Sequence, residues 1–126
     1  MVKNGSFAFA ASALVLGSAL GFTAAFAADF PSGDYEASGL ILTFDGKGQF
    51  HVNQGTTTQV SGTYSVKGGQ LEMTDQKGPW ACSQAGQQTG TYNWKYQNAV
   101  LTLDKVTDSC DARSGTLTPG GWKHKK

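Results

Sequence analysis

The side chains able to carry chemistry are few, and their spacing decides what they can do. Cys82 and Cys110 are the only cysteines in the 126 residues, and His51 and His124 the only histidines. Two isolated cysteines fall short of a structural zinc site and lack the Cys-x-x-Cys spacing of a redox pair. Neither histidine stands beside a nucleophile or a carboxylate pair, so no acid–base pattern is legible and no catalytic residue is assigned. His51 occupies the wet side of a strand between Phe50 and Val52, and His124 belongs to the terminal run Lys123-His124-Lys125-Lys126, expected to be a solvated tail. Asp104, Asp108 and Asp111 are spaced as in a calcium loop, but the glycine and the closing glutamate of the EF-hand pattern are missing. Turn capping and pairing with Arg113 account for the same residues. No metal, no cofactor and no enzyme activity are expected from this inventory.

What the cysteines do depends on where the chain goes. Met1-Val2-Lys3-Asn4 carries one positive charge, residues 7–26 form an apolar run, and Ala25-Phe26-Ala27 offers the small-x-small pattern of a cleavage site. Residues 1–27 therefore read as a cleaved signal peptide and 28–126 as a single domain. An uncleaved membrane anchor is the alternative, disfavoured by an Ala- and Gly-rich, weakly apolar composition. No cysteine adjoins the cleavage point, so lipid anchoring is not expected. The destination is periplasmic or extracellular, with no stable membrane insertion after cleavage. Two thiols in an oxidising compartment pair, which predicts a Cys82–Cys110 disulfide. It would contribute about 3–4 kcal/mol in the chain-entropy model. Of ten basic and nine acidic side chains, cleavage removes Lys3 and leaves a balanced domain. Such a chain has no electrostatic footprint for nucleic acid, and a monomer is expected.

The elements that must position these residues are strands. Leu40, Leu42 and Phe44; Phe50 and Val52; Val60, Gly62, Tyr64 and Val66; Leu71 and Met73; Tyr92, Trp94 and Tyr96; and Leu101 and Leu103 all alternate with polar residues. One face of each run is dry and the other wet, as in an antiparallel sheet with one solvated side. Asp45-Gly46-Lys47-Gly48, Asn53-Gln54-Gly55-Thr56, Lys67-Gly68-Gly69 and Gln97-Asn98 supply the turns. Gly33-Asp34-Tyr35, Gly62-Thr63-Tyr64 and Gly90-Thr91-Tyr92 repeat one motif, whose glycines mark bends or places where a large neighbour leans across. About eight short strands from Tyr35 onward, no helix, and mostly short connections predict an all-β, antiparallel up-and-down barrel.

Val60-Ser61-Gly62-Thr63-Tyr64, Leu71-Glu72-Met73-Thr74-Asp75, Gly78-Pro79-Trp80-Ala81-Cys82, Gly90-Thr91-Tyr92-Asn93-Trp94 and Asp108-Ser109-Cys110-Asp111-Ala112-Arg113 together resemble small exported bacterial β-barrel domains of the lipocalin-like (calycin-like) kind. The resemblance implies a fold and no established activity. The chain departs from the wider lipocalins in opening with Gly33-Asp34-Tyr35 where they have Gly-x-Trp, and in being shorter. By analogy with the arginine that closes a lipocalin barrel, Arg113 is expected to stack on Tyr35 or Trp94 and to pair with Asp108. A contact with a ligand anion and simple exposure are the alternatives for Arg113.

Phe44, Phe50, Tyr64, Tyr92, Trp94 and Tyr96 share the expected inner face, and eight strands enclose a space that side chains fill or that holds one small ligand. Two functions stay open. One is a binding protein for a small apolar or amphipathic molecule, with Tyr64, Tyr92 and Trp94 as the wall. The other is a protein-interaction module, such as an enzyme inhibitor, that uses loops or the N-terminal tail on a filled barrel.

Overall fold

The computed structural model describes residues 30–126; the expected signal peptide lies outside the described residues. Eight antiparallel strands follow one another around a closed barrel: β1 (Gly33–Ala37), β2 (Leu40–Phe44), β3 (Gln49–Gln54), β4 (Thr57–Lys67), β5 (Gln70–Lys77), β6 (Thr89–Gln97), β7 (Val100–Thr107) and β8 (Trp122–His124). Each strand pairs with its neighbour in sequence, and β8 closes the ring on β1 through Tyr35 opposite His124. Closure leaves no free sheet edge among these strands. Period two fixes what is inside: Tyr35, Leu42, Phe44, Phe50, Val52, Leu71, Met73, Tyr92, Leu101 and Leu103 are all buried, while their sequence neighbours face outward.

Two departures from expectation matter. A seven-residue helix, α1 (Asp111–Leu117), stands between β7 and β8, where no helix was expected. Its sequence shows no helical period, and it is held from outside. Trp122 Nε1 donates to the Leu117 carbonyl at 3.0 Å, and Cys110 caps its first turn, accepting the Arg113 N–H on Sγ at 3.3 Å. The second departure is His124, which is the last residue of β8 and not part of a solvated tail. Its ring stacks on Tyr35 at 4.8 Å, and Nδ1 lies 2.9 Å from the Tyr96 hydroxyl.

The alternating topology gives the barrel two unlike ends. At one, the tight β2–β3, β4–β5 and β6–β7 turns surround an aromatic plug of Tyr35, Phe44, Tyr64, Tyr96 and His124. At the other, the two longest connections meet: residues 78–88 between β5 and β6, and the segment carrying α1 between β7 and β8. The Gly-x-Tyr glycines mark close approaches, as the sequence suggested. A Cβ at Gly33 would stand 2.7 Å from His124 Nε2, at Gly62 it would meet the Thr74 backbone, and at Gly90 the Asp108 carboxylate.

Candidate functional site

The end with the long connections holds both a buried ionic cluster and a cavity. Arg113, 7% exposed, enters the barrel from α1. Its Nε donates to Asp108 Oδ2 at 2.8 Å; one terminal nitrogen reaches Asp108 Oδ1 at 2.6 Å and the Gln87 carbonyl at 2.8 Å. The other terminal nitrogen reaches the Gln88 carbonyl at 3.0 Å and Asp75 Oδ2 at 3.1 Å. Four of these contacts are hydrogen bonds, and the fifth, with Asp75, is an ion pair. Tyr92, at the inner face of β6, donates its hydroxyl to Asp108 Oδ2.

The same carboxylates hold the disulfide. Cys82 and Cys110 are bonded, with Cα atoms 6.3 Å apart. The backbone N–H of Cys82 donates to Asp75 Oδ2, and that of Cys110 to Asp108 Oδ1, each at 2.9 Å. Arg113 bridges the two acids. Loop 78–88 and the start of α1 are thereby stapled twice, covalently and ionically.

Burial and pairing pull the titrations in opposite directions. Burial raises the Asp108 pKa, but hydrogen bonds from Arg113, Tyr92 and the Cys110 N–H together outweigh it and hold the carboxyl below the usual range. Burial is the main reason that Tyr92 is pushed well above the ordinary tyrosine value, with its bond to Asp108 adding to it. For Arg113 burial opposes the charge, yet Asp108 and Asp75 overcome it and the guanidinium holds its proton more firmly than in water.

Beside this cluster a cavity of about 510 Å³ opens to solvent. Phe50, Val52, Val60 and Met73 contribute its inner wall, and Pro79 to Cys82 with Ala112, Thr116 and Leu117 its outer one; Asp75 and Arg113 are its ionic part. Trp80 stands at the edge, 39% exposed. The chain needs both long connections to make this space. A two-residue hairpin at either place could not reach over the barrel end.

The residues expected to form a ligand wall do not line this cavity. Tyr92 is fully buried against Asp108. Tyr64 packs edge-on against Phe44 at 4.9 Å and accepts the Gly46 N–H, while Trp94 Nε1 donates to the Gly68 carbonyl at 3.0 Å. Arg113 pairs with Asp108 as expected but does not stack on Tyr35, whose ring partner is His124 at the plugged end and whose hydroxyl donates to the Pro31 carbonyl. Four of its N–H groups go to Asp108 and to the Gln87 and Gln88 carbonyls, and Asp75 pairs with it ionically. Asp108 does what a turn-capping aspartate should, accepting the N–H two residues on. Sequence reasoning missed Asp75. The signal was present: Asp75 continues the inward Leu71, Met73 alternation of β5, and an acid on a dry face requires a buried partner.

Compared with known proteins, the chain matches no family model, no curated protein and no solved structure. The functional reading rests on this geometry.

Proposed function

We propose that this chain is an exported binding protein that holds a small apolar or amphipathic molecule in the cavity between loop 78–88, α1 and the inner faces of β3 to β5. The observation that carries the proposal is the cavity itself. Its 510 Å³ falls within the range of about 300–1,000 Å³ typical of small-ligand sites, and apolar walls with a few polar groups are the composition such sites have. The double staple supports the same reading, because a walled space is kept open only where its walls cannot collapse. Export, read from residues 1–27, and the lipocalin-like resemblance agree with it.

Titration with pyrene, an apolar fluorophore, tests the proposal. Saturable one-to-one binding is expected. Ala112→Trp, at an exposed position on the cavity wall, should plug the mouth and abolish binding while leaving the unfolding midpoint unchanged. No saturable binding in the parent, or binding unaffected by the plug, would overturn it. The exposed Trp80 favours one second reading, in which a partner protein inserts a side chain beside it.

A further inference from the structure

We infer that the preferred occupant of this cavity is an apolar body ending in an amine, and that carboxylates and phosphates are rejected. The inference rests on the binding function proposed above and names its ligand class.

Asp75 is 5% exposed and lines the cavity. Its Oδ2 is fully engaged, accepting the Cys82 N–H at 2.9 Å and facing Arg113 at 3.1 Å. Its Oδ1 has no hydrogen bond among the described residues. Every fully enclosed side-chain nitrogen or oxygen among the described residues does have one. Oδ1 is therefore not fully enclosed: it touches open space, and the space that Asp75 lines is the cavity. An unpaired carboxylate oxygen in apolar walls is an acceptor waiting for a donor.

Charge selects among donors. Arg113 is balanced by two acids, Asp75 and Asp108, so the cluster carries one negative charge in excess. A protonated amine reaching Oδ1 would neutralise it and form a charge-assisted hydrogen bond. An alcohol would make the bond without the neutralisation. A carboxylate would meet Oδ1 as a like charge, and the cation in the wall, Arg113, is already paired with both acids. The hydroxyl of Thr116 is also committed, donating to the Ala112 carbonyl at 2.9 Å.

Decylamine, decanol and decanoate, matched in chain length, separate these cases when each displaces pyrene at neutral pH. Decylamine should bind tighter than decanoate by about 10- to 100-fold, with decanol between them. Asp75→Asn should bring decylamine to within a few-fold of decanol while pyrene still binds. If that variant does not fold, the three-ligand series on the parent decides alone. Equal displacement by all three, or a preference for decanoate, overturns the head-group inference and leaves the binding function standing. Failure of pyrene to bind the parent overturns both.

Discussion

Removing Arg113 should be the most damaging single substitution at this end of the barrel. Arg113→Ala leaves two buried carboxylates without their cation and removes the Arg113 donor from the Gln87 carbonyl, while the Gln88 carbonyl keeps the Asp75 N–H. Breaking a buried ion pair from one side costs about 3–5 kcal/mol. A domain of this size has about 5–15 kcal/mol in total, so the variant should fold but with a much reduced margin. The signs under pH follow from linkage. In the parent, Asp108 has a lowered pKa, so its stabilisation is complete above the unfolded carboxylate value and is lost as pH falls through the folded one. In the variant the same carboxyl is buried without a cation, its pKa rises above the unfolded value, and acid relieves it. The stability gap between parent and variant should therefore be widest near neutral pH and narrow toward about pH 4. Urea denaturation at both pH values measures it. A loss below about 1 kcal/mol at neutral pH, or a gap that does not change with pH, would refute the reasoning.

The disulfide predicts an intact mass that rises by two hydrogens on reduction, and a cost of about 2–5 kcal/mol for Cys82→Ser; alkylation of both cysteines without reductant would contradict it. Gly90→Ala should cost about 1–3 kcal/mol, read as a lowered thermal midpoint, because the added methyl meets a carboxylate that Arg113 holds in place. Tyr92 has a raised pKa, so the stability it confers is full below the unfolded tyrosine value and declines as pH rises past about 10; Tyr92→Phe should flatten that alkaline decline in denaturation midpoints, and an unchanged slope would remove Tyr92 as its source.

The strands were legible because alternation and turn residues coincide. Leu40, Leu42 and Phe44 alternate up to the Asp45–Gly48 turn, and Asp45 Oδ1 accepts the Lys47 and Gln49 N–H groups that shape it. The glycines of Gly-x-Tyr were legible as close approaches, though not what approaches them. Helix α1 was not legible, because Asp111–Leu117 carries no apolar stripe and is held by the disulfide, by Arg113 and by Trp122, all tertiary contacts. For the same reason the residues that line the cavity were not legible. Which end of a barrel stays open depends on how residues 78–88 and 111–117 fold across it, and alternation within strands does not encode that. The three aromatic residues expected as a binding wall each have a polar tip bonded to the backbone or to a carboxylate, Tyr92 fully buried and Tyr64 and Trp94 half-buried. The Asp108–Arg113 pair, close in sequence, was readable; Asp75, far away in sequence, becomes its partner only once the barrel closes.

The location of binding is the sharpest test of the account. In a two-dimensional ¹H–¹⁵N spectrum of isotope-labelled residues 28–126, saturating pyrene should shift the amides of Val60, Met73, Trp80, Ala81, Thr116 and Leu117, which surround the cavity. The amides of Tyr64 and Trp94 should hold still. Shifts concentrated at Tyr64 and Trp94, or no saturable shifts anywhere, would contradict a ligand site at this end of the barrel.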